Sequence, residues 1–357
     1  MKKEHPVALA RGYAGITQSE LAARLDRTQG FVARVERGEF DFVPFASLLK
    51  SATGLPLAFF RPDLEWRYPE GAISYRKRKQ CPAPVRIRAE FFATIAHSIA
   101  APLIGQFVKY PDADLPSIPM LPPSDIQSAR MAGAEAARMV RSEWGIGWGP
   151  ITDVIRLVES KGVRIFYVRE PAEHLDGFAF WADDTPYIFL NQRTDDPARV
   201  RLDVCHELCH LVAHRDLEMD SDIDLVEAMA HGFAAEFLAP WATFGPESPP
   251  IPDLTRLGKL RSRWRISMQA MVMHMYANGS ISHTAYTNAF KRFSMLGYRR
   301  RPEPGWIAPD ASAIHAKFIE VVEAKGLSPA NVAEAVGISD KLLGELIPAA
   351  AEFRNLF

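Results

Sequence analysis

Residues 204–214 read Val-Cys-His-Glu-Leu-Cys-His-Leu-Val-Ala-His, and they carry the clearest chemistry in the chain. His206 and His210 are four apart, so on a helix both imidazoles share one face and reach a single metal ion. Glu207 is rotated about 100° from His206, close enough to hydrogen-bond a water at the metal without taking a ligand position. Leu208, Leu211 and Val212 make the segment amphipathic, which argues for a core-packed helix rather than a solvated His/Glu face. The expected chemistry is hydrolysis by activated water, with Glu207 as the base and one Zn2+ per chain.

A catalytic zinc needs a third protein ligand and an open position. His214, Glu227 and His231 are the candidates. His214 lies eight residues past His206, roughly 80° around the helix from it, which makes it a neighbour of the site but a poorer ligand. A third histidine six residues after the second would mark the metzincin pattern, but residue 216 is Asp. Glu227 opens a second amphipathic stretch, residues 227–240, and a carboxylate from a following helix would complete a two-histidine, one-glutamate set as in thermolysin-like zincins. Cys205 and Cys209, also four apart, read as small packing residues. Between the two stretches, residues 215–224 carry five acids on alternating positions. They form either a solvated loop or an acidic rim that favours basic substrates.

The elements that must hold these residues belong to a chain of 357 residues, 48% hydrophobic and 24% charged, ordinary for a globular protein and too long for one core. With 42 Lys and Arg against 43 Asp and Glu, binding of polyanions by bulk charge is excluded, although a local basic face is not. Three cysteines make no disulfide scaffold. The N-terminal apolar stretch is too short for a secretory signal, and no run of about 18 apolar residues is uninterrupted. The expectation is a cytoplasmic protein with no membrane partner.

Proline and glycine divide the chain into helical ends and a mixed α+β middle, with short β-forming runs at 163–168, 177–181 and 186–190. The expected segments are 1–62, a helical and Pro-rich connector at 63–125, a metal-binding segment at 126–305, and a helical unit at 306–357. In the first, Thr17 with Glu20 makes a capping box, and Thr28 caps a second helix stopped by Gly38. Two short helices so joined form a helix-turn-helix arrangement. The second helix offers Gln29, Arg34 and Arg37 outward, an amide for a base edge and cations for phosphate. Residues 1–80 hold 14 Lys and Arg against 9 Asp and Glu, a local excess that the whole chain hides.

Residues 5–60 resemble the XRE, or lambda-repressor-like, helix-turn-helix family in G-I-T-Q-x-E-L-A, T-Q-x-x-V-x-x-V-E-x-G and G-L-P-L-A-F-F. The resemblance implies an all-α DNA-binding domain with a structural ion pair between Arg11 and Glu36. It also implies that Gln18 and Gln29 lie near DNA, so the candidate contacts are Gln18, Thr28, Gln29, Arg34 and Arg37.

Residues 70–305 resemble the ImmA/IrrE-type metallopeptidases, whose HELxH helix is followed by an E-x-x-A-N-x-F-A-A-E-L-L-x-P helix. Here Glu227 and F-A-A-E-F-L-A-P match, while His231 stands where the family has Asn and Cys209 where it has Gly. The resemblance implies a zincin-like α+β domain with a small sheet, and zinc on His206, His210 and Glu227 in a gluzincin-like set. His214 and His231 would stand beside the ligands or near the transition state. It further implies a site-specific endopeptidase that cuts a helix-turn-helix repressor or antitoxin, derepressing phage, mobile-element, defence or stress genes. The alternative is a transcription regulator whose zincin-like domain is a non-proteolytic sensor or dimerisation module. Glu207 argues for the first, since a structural metal site has no use for it.

Two further features complete the reading. Cys81 follows a basic run at 76–79; it is an incidental thiol or a latency ligand whose thiolate fills zinc's open position. Residues 326–343 repeat the caps and apolar positions of 15–32 but offer Asp340 and Glu345, so a packing, dimer or lid element is expected there, with a homodimer among the partners.

Overall fold

The structure, a computed structural model, describes residues 2–68, 83–119, 123–169, 177–192, 196–215, 222–298 and 303–349. It is mixed α+β, mostly helical, with a small three-stranded sheet. Contacts divide it into two compact units. The first comprises Met1–Ala113, Gly162–Arg193 and Ser312–Phe357, and the second Asp114–Lys161 and Thr194–Ala311.

The first unit opens with helices Pro6–Ala14, Gln18–Arg24, Gln29–Glu36 and Ala46–Thr53. Thr17 and Glu20 form the capping box, and the Thr28 hydroxyl accepts from Phe31 N. Leu21, Ala22, Leu25, Val32 and Val35 are buried, as their helical spacing predicts. Arg11 Nε donates to Glu36 Oε1 at 2.6 Å, the implied ion pair.

In the sheet, Thr185–Asn191 is central, parallel to Arg164–Val168 and antiparallel to Gly177–Ala182. Phe166, Phe178, Phe180, Tyr187 and Phe189 stack along one face and join the core of this unit. The C-terminal helices Ala313–Ala324, Pro329–Ala335 and Asp340–Leu346 add Phe318, Val322, Leu342 and Leu346 to that core. Ser328 and Ser339 cap the last two, as Thr17 and Thr28 cap theirs.

Among the described residues, one helical stretch, Val85–Gly105, is long and apolar enough to cross a membrane by composition alone. Its Phe91, Phe92, Ile95, Leu103 and Ile104 are buried in the core of the first unit, which accounts for its apolarity.

His315, 2% exposed, lies against Phe166 and Tyr167, and burial pulls its pKa down to about 3. An unfolded imidazole near 6.5 binds a proton that the folded one refuses. Its stabilising contribution is therefore complete above pH 6.5 and is lost as pH falls toward 3. His274 in the second unit, pulled down to about 4 by burial, acts in the same direction. His315 alone corresponds to about 2 kcal/mol between pH 6.5 and 5. The urea midpoint should fall from pH 7 to pH 5, and His315→Leu should flatten that fall. Equal slopes in both proteins would show that His315 is not its source.

The second unit holds helices Ile126–Glu143, Val154–Ser160, Pro197–Ala213 and Ile223–Leu238, followed by four more between Trp241 and Met295. The Asp196 side chain accepts from Ala198 N and Pro197 takes the first turn, so helix Pro197–Ala213 starts where its sequence directs. Arg201 on that helix is fully buried; it donates to Asp310 at 2.5 Å and to the Ile151 carbonyl at 2.7 Å. Asp310 also meets Arg265 at 3.0 Å and accepts from Val154 N, so one carboxylate ties three segments to the helix. Arg141, likewise buried, donates to the carbonyls of Gly147, Phe237 and Gly149, pinning the C-terminal end of helix Ile223–Leu238.

That helix crosses Ile126–Glu143 with no side chain between them at two points. A Cβ on Gly133 would fall 1.9 Å from Met229 O, and one on Gly232 would fall 2.2 Å from Arg130 O. The backbones themselves are in contact.

Candidate metal centre

Two helices of the second unit bring three donors together. His206 and His210 come from Pro197–Ala213 and Glu227 from Ile223–Leu238, and one ligand atom of each lies within 4.8 Å of the others. The two Nε2 atoms are 3.3 Å apart; Glu227 Oε2 is 3.4 Å from His206 Nε2, and Oε1 is 3.9 Å from His210 Nε2. Among the described residues this is the one group of three His, Cys, Asp or Glu donors so arranged. The His210 side chain is 4% exposed, His206 12% and Glu227 21%, so access is from the Glu227 side.

The donor set fits zinc. Two nitrogens about 2.05 Å from a tetrahedral ion stand about 3.3 Å apart, the separation of the two Nε2 atoms here. Two imidazoles and one carboxylate leave one position of four open, the count of a catalytic rather than a structural site.

Glu207 is 6% exposed and stays out of the three-donor group. Burial first, then the charges of Glu207 and Glu227, push the Cys209 thiol well above its ordinary range. Burial does the same to Cys205. Neither sulfur offers a thiolate at neutral pH, in keeping with their reading as packing residues.

His214 Nδ1 is 2.8 Å from His210 Nδ1, on the far side of that ring from the cluster. His231 is exposed, with its ring 4.8 Å from that of His206 and set edge-on to it. Both stand beside the three-donor group rather than within it. Cys81 and the acidic residues 216–221 lie outside the described residues. The Arg201–Asp310 pair, which holds the ligand helix in place, escaped sequence reasoning. Its one signal was an arginine on the apolar side of an amphipathic helix.

In the first unit, Gln29 Nε2 donates to Gln18 Oε1 and Gln18 Nε2 donates to Glu36 Oε2, each at 2.7 Å. Gln29, Gln18, Glu36 and Arg11 thus form one polar series. Arg34 and Arg37 both donate to Glu39, at 2.9 and 2.6 Å, and Arg34 also lies 4.2 Å from the Phe40 ring centre. Those hydrogen bonds, Arg37's first and Arg34's next, hold the Glu39 carboxyl below its ordinary range. Thr28 is engaged as a helix cap.

Residues 158–276 match the family model for the IrrE N-terminal-like domain, Peptidase_M78. The matched stretch is a third of the chain and contains the three-stranded sheet and both helices that supply the three donors. No curated protein matches the chain.

Proposed function

We propose that the chain is a zinc-dependent endopeptidase of the His-His-Glu type, and that it cuts a helix-turn-helix repressor or antitoxin in the cytoplasm. The observation that carries the reading is the convergence of His206, His210 and Glu227 from two helices onto one point. The match of residues 158–276 to a peptidase family supports it independently. In this reading residues 1–62 bind DNA, 126–305 cleave, and 306–357 form a packing or dimerisation element. The expected connector at 63–125 includes the helical stretch Val85–Gly105, which is buried in the core of the first unit.

His206, His210 and Glu227 would hold the ion. When bound, zinc supplies a Lewis acid for the scissile carbonyl and lowers the pKa of water. Glu207 accepts the proton of the attacking water and returns it to the leaving amide nitrogen. Its burial keeps bulk water from competing for that proton. His231, exposed with its ring beside that of His206, would donate to the carbonyl oxygen as charge builds there.

The test is co-expression with a candidate helix-turn-helix repressor, wild type against Glu207→Gln. A fragment formed only with wild type supports cleavage. Zinc-loaded wild type that leaves the partner intact supports the non-proteolytic regulator instead.

DNA binding has its own test. Gln29→Ala should relax sequence preference, while Arg34→Ala should weaken binding to all sequences and lower the salt slope by about one unit. If a chain lacking residues 1–62 binds the promoter as wild type does, the N-terminal helices are not the DNA-binding element.

A further inference from the structure

The ligand helix carries a third histidine that the proposed reaction does not use. His214, 6% exposed, caps the C-terminal end of Pro197–Ala213, one turn beyond His210. Its Nδ1 is 2.8 Å from His210 Nδ1. Its Nε2 is 3.2 Å from the sulfur of Met229, a buried residue of the helix that supplies Glu227.

With His210 Nε2 as a metal ligand, these contacts assign where the protons sit. His210 turns Nε2 toward the cluster, 3.3 Å from His206 Nε2 and 3.9 Å from Glu227 Oε1, and an Nε2 that ligates metal must present a lone pair. The proton of that ring is then on Nδ1. A contact of 2.8 Å between two nitrogens needs one donor and one acceptor. His210 donates, so His214 Nδ1 accepts, and the His214 proton lies on Nε2, facing the Met229 thioether, a weak acceptor. Every proton has one place, and the series runs from the site to the neighbouring helix.

Resting on the zinc reading above, we propose that His214 is a positioning residue that holds His210 in its Nδ1–H tautomer and in the ring orientation that ligates. Ligating histidines ordinarily give their second N–H to a carboxylate, a carbonyl or water. A neutral imidazole orients His210 equally well and adds no negative charge behind it. Because His214 also touches Met229, the same side chain registers the two ligand helices against each other.

The experiment titrates zinc into the metal-free full-length chain in competition with a chromophoric chelator, and records the visible spectrum of the cobalt-substituted protein. His214→Leu fills the space without an acceptor and should lose about 10- to 100-fold in zinc affinity, with altered cobalt bands. His214→Asn places an amide oxygen near the Nδ1 position and should recover most of the affinity. His214→Gln, whose amide reaches instead toward the Nε2 position, should not, although the metal-free Asn and Gln variants should melt alike. Equal affinities and spectra for wild type, Asn and Gln would overturn the proposal, whether or not the Leu variant folds. A wild-type chain that takes up no zinc would overturn the three-ligand reading itself, a result distinct from any difference among the His214 variants.

Discussion

Glu207→Gln should keep one zinc per chain while losing about 100- to 10,000-fold in peptide cleavage. The amide matches the carboxylate in size, so the helix, its burial and the neighbouring donors are undisturbed. It cannot accept a proton from water, and it also lacks the charge that Glu207 places near Cys209. Zinc should remain because Glu207 lies outside the group formed by His206, His210 and Glu227. The complementary variant, His206→Ala with His210→Ala, should lose the metal. Metal analysis of both proteins checks the assignment: zinc missing from Glu207→Gln, or retained by the double variant, would mean that the roles are misassigned.

The largest structural effect is expected at a residue with no side chain. Gly232→Ala would set a Cβ 2.2 Å from Arg130 O, and Gly133→Ala one 1.9 Å from Met229 O. Both obstacles are backbone atoms, so no rotamer change relieves them and the helices must part. Overpacking of a rigid core typically costs 1–3 kcal/mol, and a forced separation of helices should cost about 3 kcal/mol or more. Glu227 lies little more than one turn before Gly232 on the displaced helix, so zinc affinity should fall as well. Gly149→Ala, which meets nothing within 4 Å, is the control and should stay within about 0.5 kcal/mol of wild type. Urea unfolding and zinc titration read both quantities; a Gly232→Ala protein as stable as the control would show that the close crossing is not maintained in solution.

How much of this was legible in the sequence depends on the range of the contact. His206 and His210 share a face because they are four apart, and the same spacing sets His214 against His210. Helical angles measured from His206 made His214 a neighbour of the site and a poorer ligand, but did not bring out that second pairing. The caps at Thr17, Thr28, Ser328 and Ser339 are local, and each was readable from one hydroxyl followed by an apolar pattern. The strands were readable too, but not their order. That Thr185–Asn191 lies between Arg164–Val168 and Gly177–Ala182 follows from tertiary packing, which leaves no period in the chain. Arg201 and Asp310 are 109 residues apart, and nothing local announces their pairing. The five-residue π turn Ala96–Ala100, inside an otherwise helical stretch, has no compositional mark either.

Synthesis delivers the chain from its N-terminus, and the chain passes between the two compact units four times on its way. The unit that carries His206, His210 and Glu227 has all its residues once Ala311 is made. The other unit begins earlier and finishes later. Its N-terminal helices and its sheet are made first, yet their shared core still lacks Phe318, Val322, Leu342 and Leu346. At about 5–20 residues per second those four arrive a few seconds after Ala311. During that interval the aromatic face of the sheet has no complete cover from its own unit, and that is when this unit is most exposed to misassembly. The unit that carries these three donors, second to begin, is first to be complete.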